Sequence, residues 1–501
     1  MDRTYINTKM DGSITLFLAL ILTLVFSFFF SLLEAARVQG LSQIARRGIL
    51  LKIESAFGEY QTELWKDYHL LFLDGGNYDE ELDLALLEGR WMDDAALQKK
   101  GAGFFELSLR SLEITEYSLA TDQKGTAFEK QACRAIQEQL VSGAAELLKQ
   151  KLGAGEKIAK EGEELDEKWE SAKDAMAEAE DLKEESTDLQ EEPETNSQDL
   201  APVQTDLPDN PIESVDLLKK SAILAMVVEN PSEISNKCIS LSNTLSHRDI
   251  SVGNQEVSEN GVLDKLWFLQ YLDTYFSCKT GVGKLGSSEH ALDYELEYCV
   301  SGKSSDQENL EKAVHKLLLV REAGNFTTIL QDGKKRALAM EIATAAVGFT
   351  GIVPLIQAVQ IGILLAWSYL ESILDMRCLL SGGSVALVKS VTDWKSDVSL
   401  GEEGLKEQKE EQEGQDEGLN YREYLQLLLL LVQEEPLVCR AMDVMEQNIR
   451  LKKPAFRMDH QIYGMRLEGL YNARPMFWGL ITGVKDKNGM YHFRESYSDS
   501  Y

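Results

Sequence analysis

Hydrophobic and polar positions divide this chain before any motif is considered. From Ile14 to Leu33 there is neither a charge nor a proline. A helix of that length covers a hydrocarbon core of roughly 30 Å at about 1.5 Å per residue. A cleaved export signal carries an apolar stretch of only ~7–15 residues ahead of a small-residue cleavage site. Here the run ends in "LLEAARVQG", with Glu34 and Arg37 where small neutral residues would be needed. The segment therefore reads as a retained anchor. Thr15, Ala19, Thr23, Ser27 and Ser31 recur along it at every fourth position. They form a ridge of small side chains on which another membrane helix can pack closely. The competing reading carries equal weight: each hydroxyl bonds back to its own helix.

Beyond the apolar run, Leu41, Ile44, Ile49, Ile53, Phe57, Tyr60 and Leu64 keep a roughly 3.6-residue period until Gly75-Gly76, which predicts a helical stalk. Leu165, Trp169, Ala172, Met176 and Ala179 step by fours and threes, a seam long enough for a helical hairpin but short for a coiled coil. "ENGVLDKLWFLQYLDTYFS" and "LEKAVHKLLLVREAGNF" are helical in period, and Ser305 with Glu308 forms a capping pattern ahead of Leu310. Ala343–Leu374 is apolar enough to suggest a second crossing, but Pro354, Gln357 and Gln360 interrupt it. Two buried helices meeting at Pro354 are expected instead. "YREYLQLLLLLVQEEPLVCRAMDVMEQNIRL" begins a last helical region, broken at Pro436. After Pro454 the period becomes two at Met465, Leu467, Gly469 and Tyr471, and "GVKDKNGMYHFRESY" contains an Asn-Gly turn. The expected fold is mainly α: a transmembrane helix continuing into a helical stalk, an α-helical body and a small C-terminal β element, α+β overall.

Length and charge refine this picture. At roughly 150 residues per domain, 501 residues allow two or three domains. Two acidic stretches without periodicity suggest the divisions, a linker over 184–213 and a loop over 401–418. The expected layout is a cytoplasmic N-terminus (1–12), the transmembrane helix (13–34), stalk and first helical region (35–183), linker, α-helical body (214–400), acidic loop, helical region (419–453) and a β-rich end (454–501). A net charge of -32 disfavours nucleic acid as a partner, because phosphates need a basic counter-surface. Six cysteines, with no C-x-x-C among them, disfavour a zinc site and a small disulfide scaffold; whether some pair is left open.

Candidate chemistry is sparse. "GVGKLG" at Gly281–Gly286 matches a dinucleotide-loop string, but a helical run precedes it rather than a strand, so a loop is expected. "GKSS" at Gly302–Ser305 has Glu297 where a phosphate loop needs its first glycine, and reads as a helix cap. The six histidines are scattered with no ligand spacing. Glu371, Asp375 and Arg377 share a helix face, which an exposed ion pair at helical spacing explains. No enzyme activity, metal, cofactor or small-molecule substrate is expected.

"GSITLFLALIL", "LLEAARVQG", "FGEYQTELWKDYHLLFLD", "LDYELEYCVSGKSSDQENL", "LLLVREAGNF" and "GFTGIVPLIQAVQIGILLAWSYLESILDMRCLLSGG" together resemble an uncharacterised family of membrane-anchored proteins from clostridial bacteria, associated with tight-adherence (Tad, Flp-type) pilus loci. The N-terminus also resembles that of pseudopilins. Gly12 stands where prepilin-type processing would occur, although Phe17 occupies the position where an early glutamate is usual. The resemblance implies a single-pass protein with its N-terminus inside and its body extracytoplasmic, whereas the basic residues Arg37, Arg46, Arg47 and Lys52 after the span lean the other way. Its expected partners are the lipid bilayer and other membrane or pilus-assembly proteins. The expected role is structural, in pilus assembly or a related surface machine. The alternative is a tethered extracytoplasmic binding or sensor module with no filament role.

Overall fold

The computed structural model describes residues 11–76, 82–92, 99–100, 103–137, 164–188, 210–228, 230–257, 264–283, 285–396, 418–477 and 489–501. The chain forms two compact units. The first is assembled from residues 1–131, 249–260 and 452–501, and the second from 132–248 and 261–451. Most of the acidic stretches at 184–213 and 401–418 lies outside the described residues. The described strands are β1 (Leu73–Asp74), β2 (Lys99–Lys100), β3 (Leu107–Leu119), β4 (Ser384–Val385), β5 (Leu419–Asn420), β6 (Gln461–Ala473) and β7 (Tyr491–Ser500). β4 and β5 pair only with each other, in the second unit.

The first unit is built on α1 (Asp11–Phe57), an unbroken helix of 47 residues that is roughly 70 Å long. From Leu41 onward it buries one face, through Leu41, Ala45, Ile49, Ile53 and Ala56. Those residues pack on an antiparallel sheet centred on β6, which pairs with β3, β7 and β1, while β2 pairs with β3. Met465, Leu467, Tyr471, Leu112 and Phe493 complete the same core. Gly469 permits the closest approach, since a Cβ there would lie 2.2 Å from Ile49 Cδ1. Short helices α2 (Thr62–Tyr68) and α3 (Leu84–Met92) follow, and α3 packs on β3. The chain then makes α4 (Asp122–Gln137), whose opening residues Gln123 and Lys124 are left-handed. Asp122 steadies that turn by accepting from Leu119 N and Gly253 N. Residues 249–257 return to this unit, where Asn254 bonds Tyr117 N and Thr115 O of β3.

The mainly α architecture expected of the chain is observed, with a long N-terminal helix and a small antiparallel sheet that includes the C-terminal strands. α1 continues unbroken past the apolar run to Phe57, although its second half is core and β1 to β3 follow it. The expected C-terminal β element is β6 and β7, and it is not isolated. An isolated hairpin is marginal in water, and β6 gains its second neighbour from β3, more than 340 residues earlier.

The second unit is helical: α5 (Leu165–Asp188), α6 (Ile212–Lys220), α7 (Ile223–Val227), α8 (Asp264–Tyr275), α9 (Glu295–Ser301), α10 (Asp306–Ile329), α11 (Gly333–Val347), α12 (Val353–Leu380), α13 (Tyr421–Leu431) and α14 (Glu434–Arg450). α12 is its axis, packed by α5, α10 and α11. The apolar stretch around Pro354 is two helices, as its break suggested, with Pro354 in the first turn of α12, where its missing N–H costs nothing. Leu165, Trp169, Ala172 and Ala179 of α5 are buried, and Ala172 meets α12 at Gly362, where a Cβ would come within 2.5 Å of it. That seam is a helix crossing. Ser305 caps α10 by accepting from Glu308 N.

Candidate membrane and assembly helix

α1 changes character along its length. Every side chain from Ile14 to Phe30 is exposed, including Leu16 at 66% and Leu24 at 71%. Two helices among the described residues are long and apolar enough to cross a membrane, Ile14–Phe57 and Val353–Leu380. The most apolar window of the first is 0% buried and that of the second 61%. The second is therefore a core helix. The first leaves an apolar surface unburied on all sides, at roughly 1.5–3 kcal/mol per large side chain in water, and such a surface calls for lipid or a partner helix.

The ridge positions lie on this bare half. Ala19, Thr23 and Ser27 are exposed, as is Thr15, and Ser31 is half-buried. The Thr23 hydroxyl donates to Leu20 O at 2.9 Å, the back-bonded arrangement. Gly12 sits in the first turn of α1.

A polar clasp marks the end of the bare half. Glu34 is fully buried and accepts from Arg37 Nη1 at 3.1 Å and from the Met476 and Phe477 amides at 3.3 Å. Arg37 is buried too, and its Nε donates to Phe104 O at 2.6 Å. Aromatic rings surround the clasp: Phe477 stacks on Phe30 at 5.4 Å and meets Phe104 at 5.9 Å. Burial, with the Glu34 carboxylate beside it, pushes the Tyr491 hydroxyl up to about 12. A carboxylate placed in this setting needs those donors, because an unpaired buried charge is prohibitively expensive. Further along, Arg46 and Arg47 are exposed, whereas Lys52 is buried over the Trp91 ring.

In the second unit the strings singled out above fall into place. Gly283 and Gly286 lie in a loop after α8, tight against the Tyr275 carbonyl, with no strand before them. Gly302 is the left-handed cap of α9. The Glu371, Asp375 and Arg377 reading needs correction. Glu371 and Asp375 face inward and share the buried Lys389 ammonium, while Arg377 turns away to Met226 O. Asp375 also takes Arg321 Nε at 3.0 Å and Nη2 at 2.8 Å, and Asn325 at 3.0 Å. Arg321 reaches on to Ala386 O, Leu387 O and Tyr424 Oη. Glu371 accepts from the Lys395 and Ser396 amides. The network charges balance, and it fastens residues 384–396 across α10 and α12. Burial alone would raise the Asp375 carboxyl; Arg321 and Lys389 reverse that and hold it below the usual range. Among the described residues no group of three His, Cys, Asp or Glu could hold a metal ion. None of the six cysteines is paired in a disulfide.

A family model described as a family of unknown function, DUF5702, matches residues 202–473, more than half of the chain. The chain belongs to the DUF5702 family. No curated protein and no solved structure matches it. The part shared with DUF5702 holds α6 to α14, the whole Arg321–Asp375–Lys389–Glu371 network and the central strand β6. α1 and β3 lie before it and β7 after it.

Proposed function

We propose that this DUF5702 protein is a membrane-anchored structural protein of a cell-surface assembly, pilin-like in its use of α1 and belonging with the Tad-type machinery that its sequence resembles. The observation that carries the reading is the division of α1 into a bare apolar half and a half locked under a sheet. A helix held rigidly at one end presents its other end at a fixed angle, so lateral packing in the bilayer can set the position of a whole subunit. Its partners are then lipid and other membrane or pilus-assembly proteins, and its action is contact without chemistry.

The proposed orientation, an inside N-terminus with an extracytoplasmic body, is supported by the family resemblance alone, since Arg37, Arg46, Arg47 and Lys52 after the span outnumber Arg3 and Lys9 before it. Crosslinking from the bare half tests the proposal. Ala19→Leu with Ser27→Leu should abolish crosslinks to membrane neighbours while leaving the protein in the membrane. Co-purification should recover pilus-assembly components. Unchanged crosslinks, or recovery of the protein with none of these components, would favour a tethered binding module. One feature of the second unit, an open apolar cleft, gives that reading its own support.

A further inference from the structure

The cleft lies where α9, α10, α13 and α14 converge, and its volume is about 390 Å³, within the range of small-molecule sites. Its walls are apolar: Val300 from α9, Leu319 from α10, Leu428 and Leu431 from α13, and Pro436 from α14. Leu319 and Leu431 are 37% and 42% exposed, so this wall faces open space. Two cations line the same cleft, Lys316 of α10 and Arg440 of α14.

Their partners are few. Lys316 Nζ donates to Val300 O at 3.2 Å and Arg440 Nη1 to Cys299 O at 3.0 Å. Both acceptors are carbonyls at the C-terminus of α9, whose dipole contributes only about half a negative charge. Among the described residues neither cation has a carboxylate at ion-pair distance. Each uses one hydrogen bond of the several its head can make. Burial, and then Arg440 itself, lower the Lys316 ammonium below its usual range. Lys316 is exposed and Arg440 half-buried, so in a chain of net charge -32 the cleft offers two cations beside apolar walls, with no carboxylate paired to either among the described residues.

We propose that this cleft binds a small apolar carboxylic acid, its carboxylate held between Lys316 and Arg440 and its hydrocarbon part lying along Val300, Leu319, Leu428, Leu431 and Pro436. A carboxylate supplies the missing counter-charge, and the tail covers the exposed leucines. The site is independent of the membrane role proposed above.

Octanoate is the probe, titrated calorimetrically into the full chain held in nanodiscs, with empty nanodiscs subtracted. Saturable binding is expected, at least tenfold tighter than that of 1-octanol, with no saturable binding of octylammonium. Lys316→Gln and Arg440→Gln should each weaken octanoate about tenfold, the effect of losing one charge-assisted hydrogen bond. Lys312→Gln, an exposed change on the same helix outside the cleft, should leave it unchanged. Circular dichroism and the thermal midpoint confirm that each variant is folded. Equal affinity for octanol, wild-type affinity in both folded cation variants, or no saturable octanoate binding would each overturn the proposal.

Discussion

Replacing Arg321 by methionine tests how the second unit is held together. Arg321 is 0% exposed, and its guanidinium contacts Asp375, Asn325, Tyr424 and the Ala386 and Leu387 carbonyls. Without it, the carboxylates of Asp375 and Glu371 must share one ammonium, that of Lys389. Removing one partner from a buried ion network costs about 3–5 kcal/mol, because a charge is left uncompensated in the core. At a urea slope of ~2–3 kcal/mol/M this moves the unfolding midpoint by about 1–2.5 M. The fluorescence of Trp367 and Trp394 is the assay: these rings meet edge to face at 6.2 Å, and Trp367 Nε1 donates to Ser396 O. Arg321→Met/Asp375→Leu removes a charge of each sign and should cost less than the sum of the two single changes, by roughly 0.5–3 kcal/mol. Asp375 has a folded pKa below its unfolded value of 3.8. The stability it contributes is therefore complete above that value and lost as pH falls through the folded one. The gap between wild type and Arg321→Met should accordingly narrow in strong acid. A midpoint shift under ~0.3 M, or strictly additive costs, would refute the idea that these charges act as one network.

Other substitutions probe separate parts of the fold. Glu297 is fully buried and pushed by that burial from 4.5 to about 7, with Lys279 N and Tyr421 Oη donating to it. Its raised value means stability falls as pH rises from 4.5 to about 7. Glu297→Gln should therefore stabilise the protein by up to ~3 kcal/mol at about pH 8 and by much less near pH 5; a constant offset between the two would contradict this. Gly469→Val should cost about 1–3 kcal/mol by overpacking Ile49, and Ile49→Ala in the same chain should recover part of it in thermal melts. Asn420→Ala removes the reciprocal cap that Asn420 and Glu423 form at the start of α13, for about 1 kcal/mol in urea titrations.

Parts of this architecture are plain in the amino-acid order. The uncharged run of α1, the cap at Ser305, the break at Pro354 and the alternation of β6 are local signals, each made by neighbours along the chain. β3 is hidden by its own geometry. Its apolar residues fall at Leu107 and Leu109, then Leu112 and Ile114, then Tyr117 and Leu119. The phase slips by one residue at each step, matching the register shifts between Leu109 and Ser111 and between Ile114 and Glu116. Bulges of this kind break a period-two pattern without ending the strand. The buried network is hidden for another reason. Arg321 and Lys389 lie 54 and 14 residues from Asp375, and nothing local distinguishes an inward Glu-x-x-x-Asp pair from an exposed one. An arginine inside the apolar run "LLLVREAGNF" was the available hint, since an arginine is seldom buried without a partner. The Glu34–Arg37 clasp is local in its pairing, but the amides that complete it come from Met476 and Phe477.

The proposed anchoring requires α1 to be lipid-facing in its first half and buried under the sheet in its second. Single cysteines at Leu22, Phe26, Arg46, Ile49 and Ile53, in a background lacking the native cysteines, can be offered to a membrane-impermeant maleimide with the full chain in nanodiscs. Arg46→Cys alone should react quickly, because Arg46 faces solvent on the docked half. Positions 22 and 26 should stay silent in lipid, and 49 and 53 silent until urea opens the core. Rapid labelling at 22 and 26 in intact nanodiscs, or at 49 as fast as at 46, would contradict it.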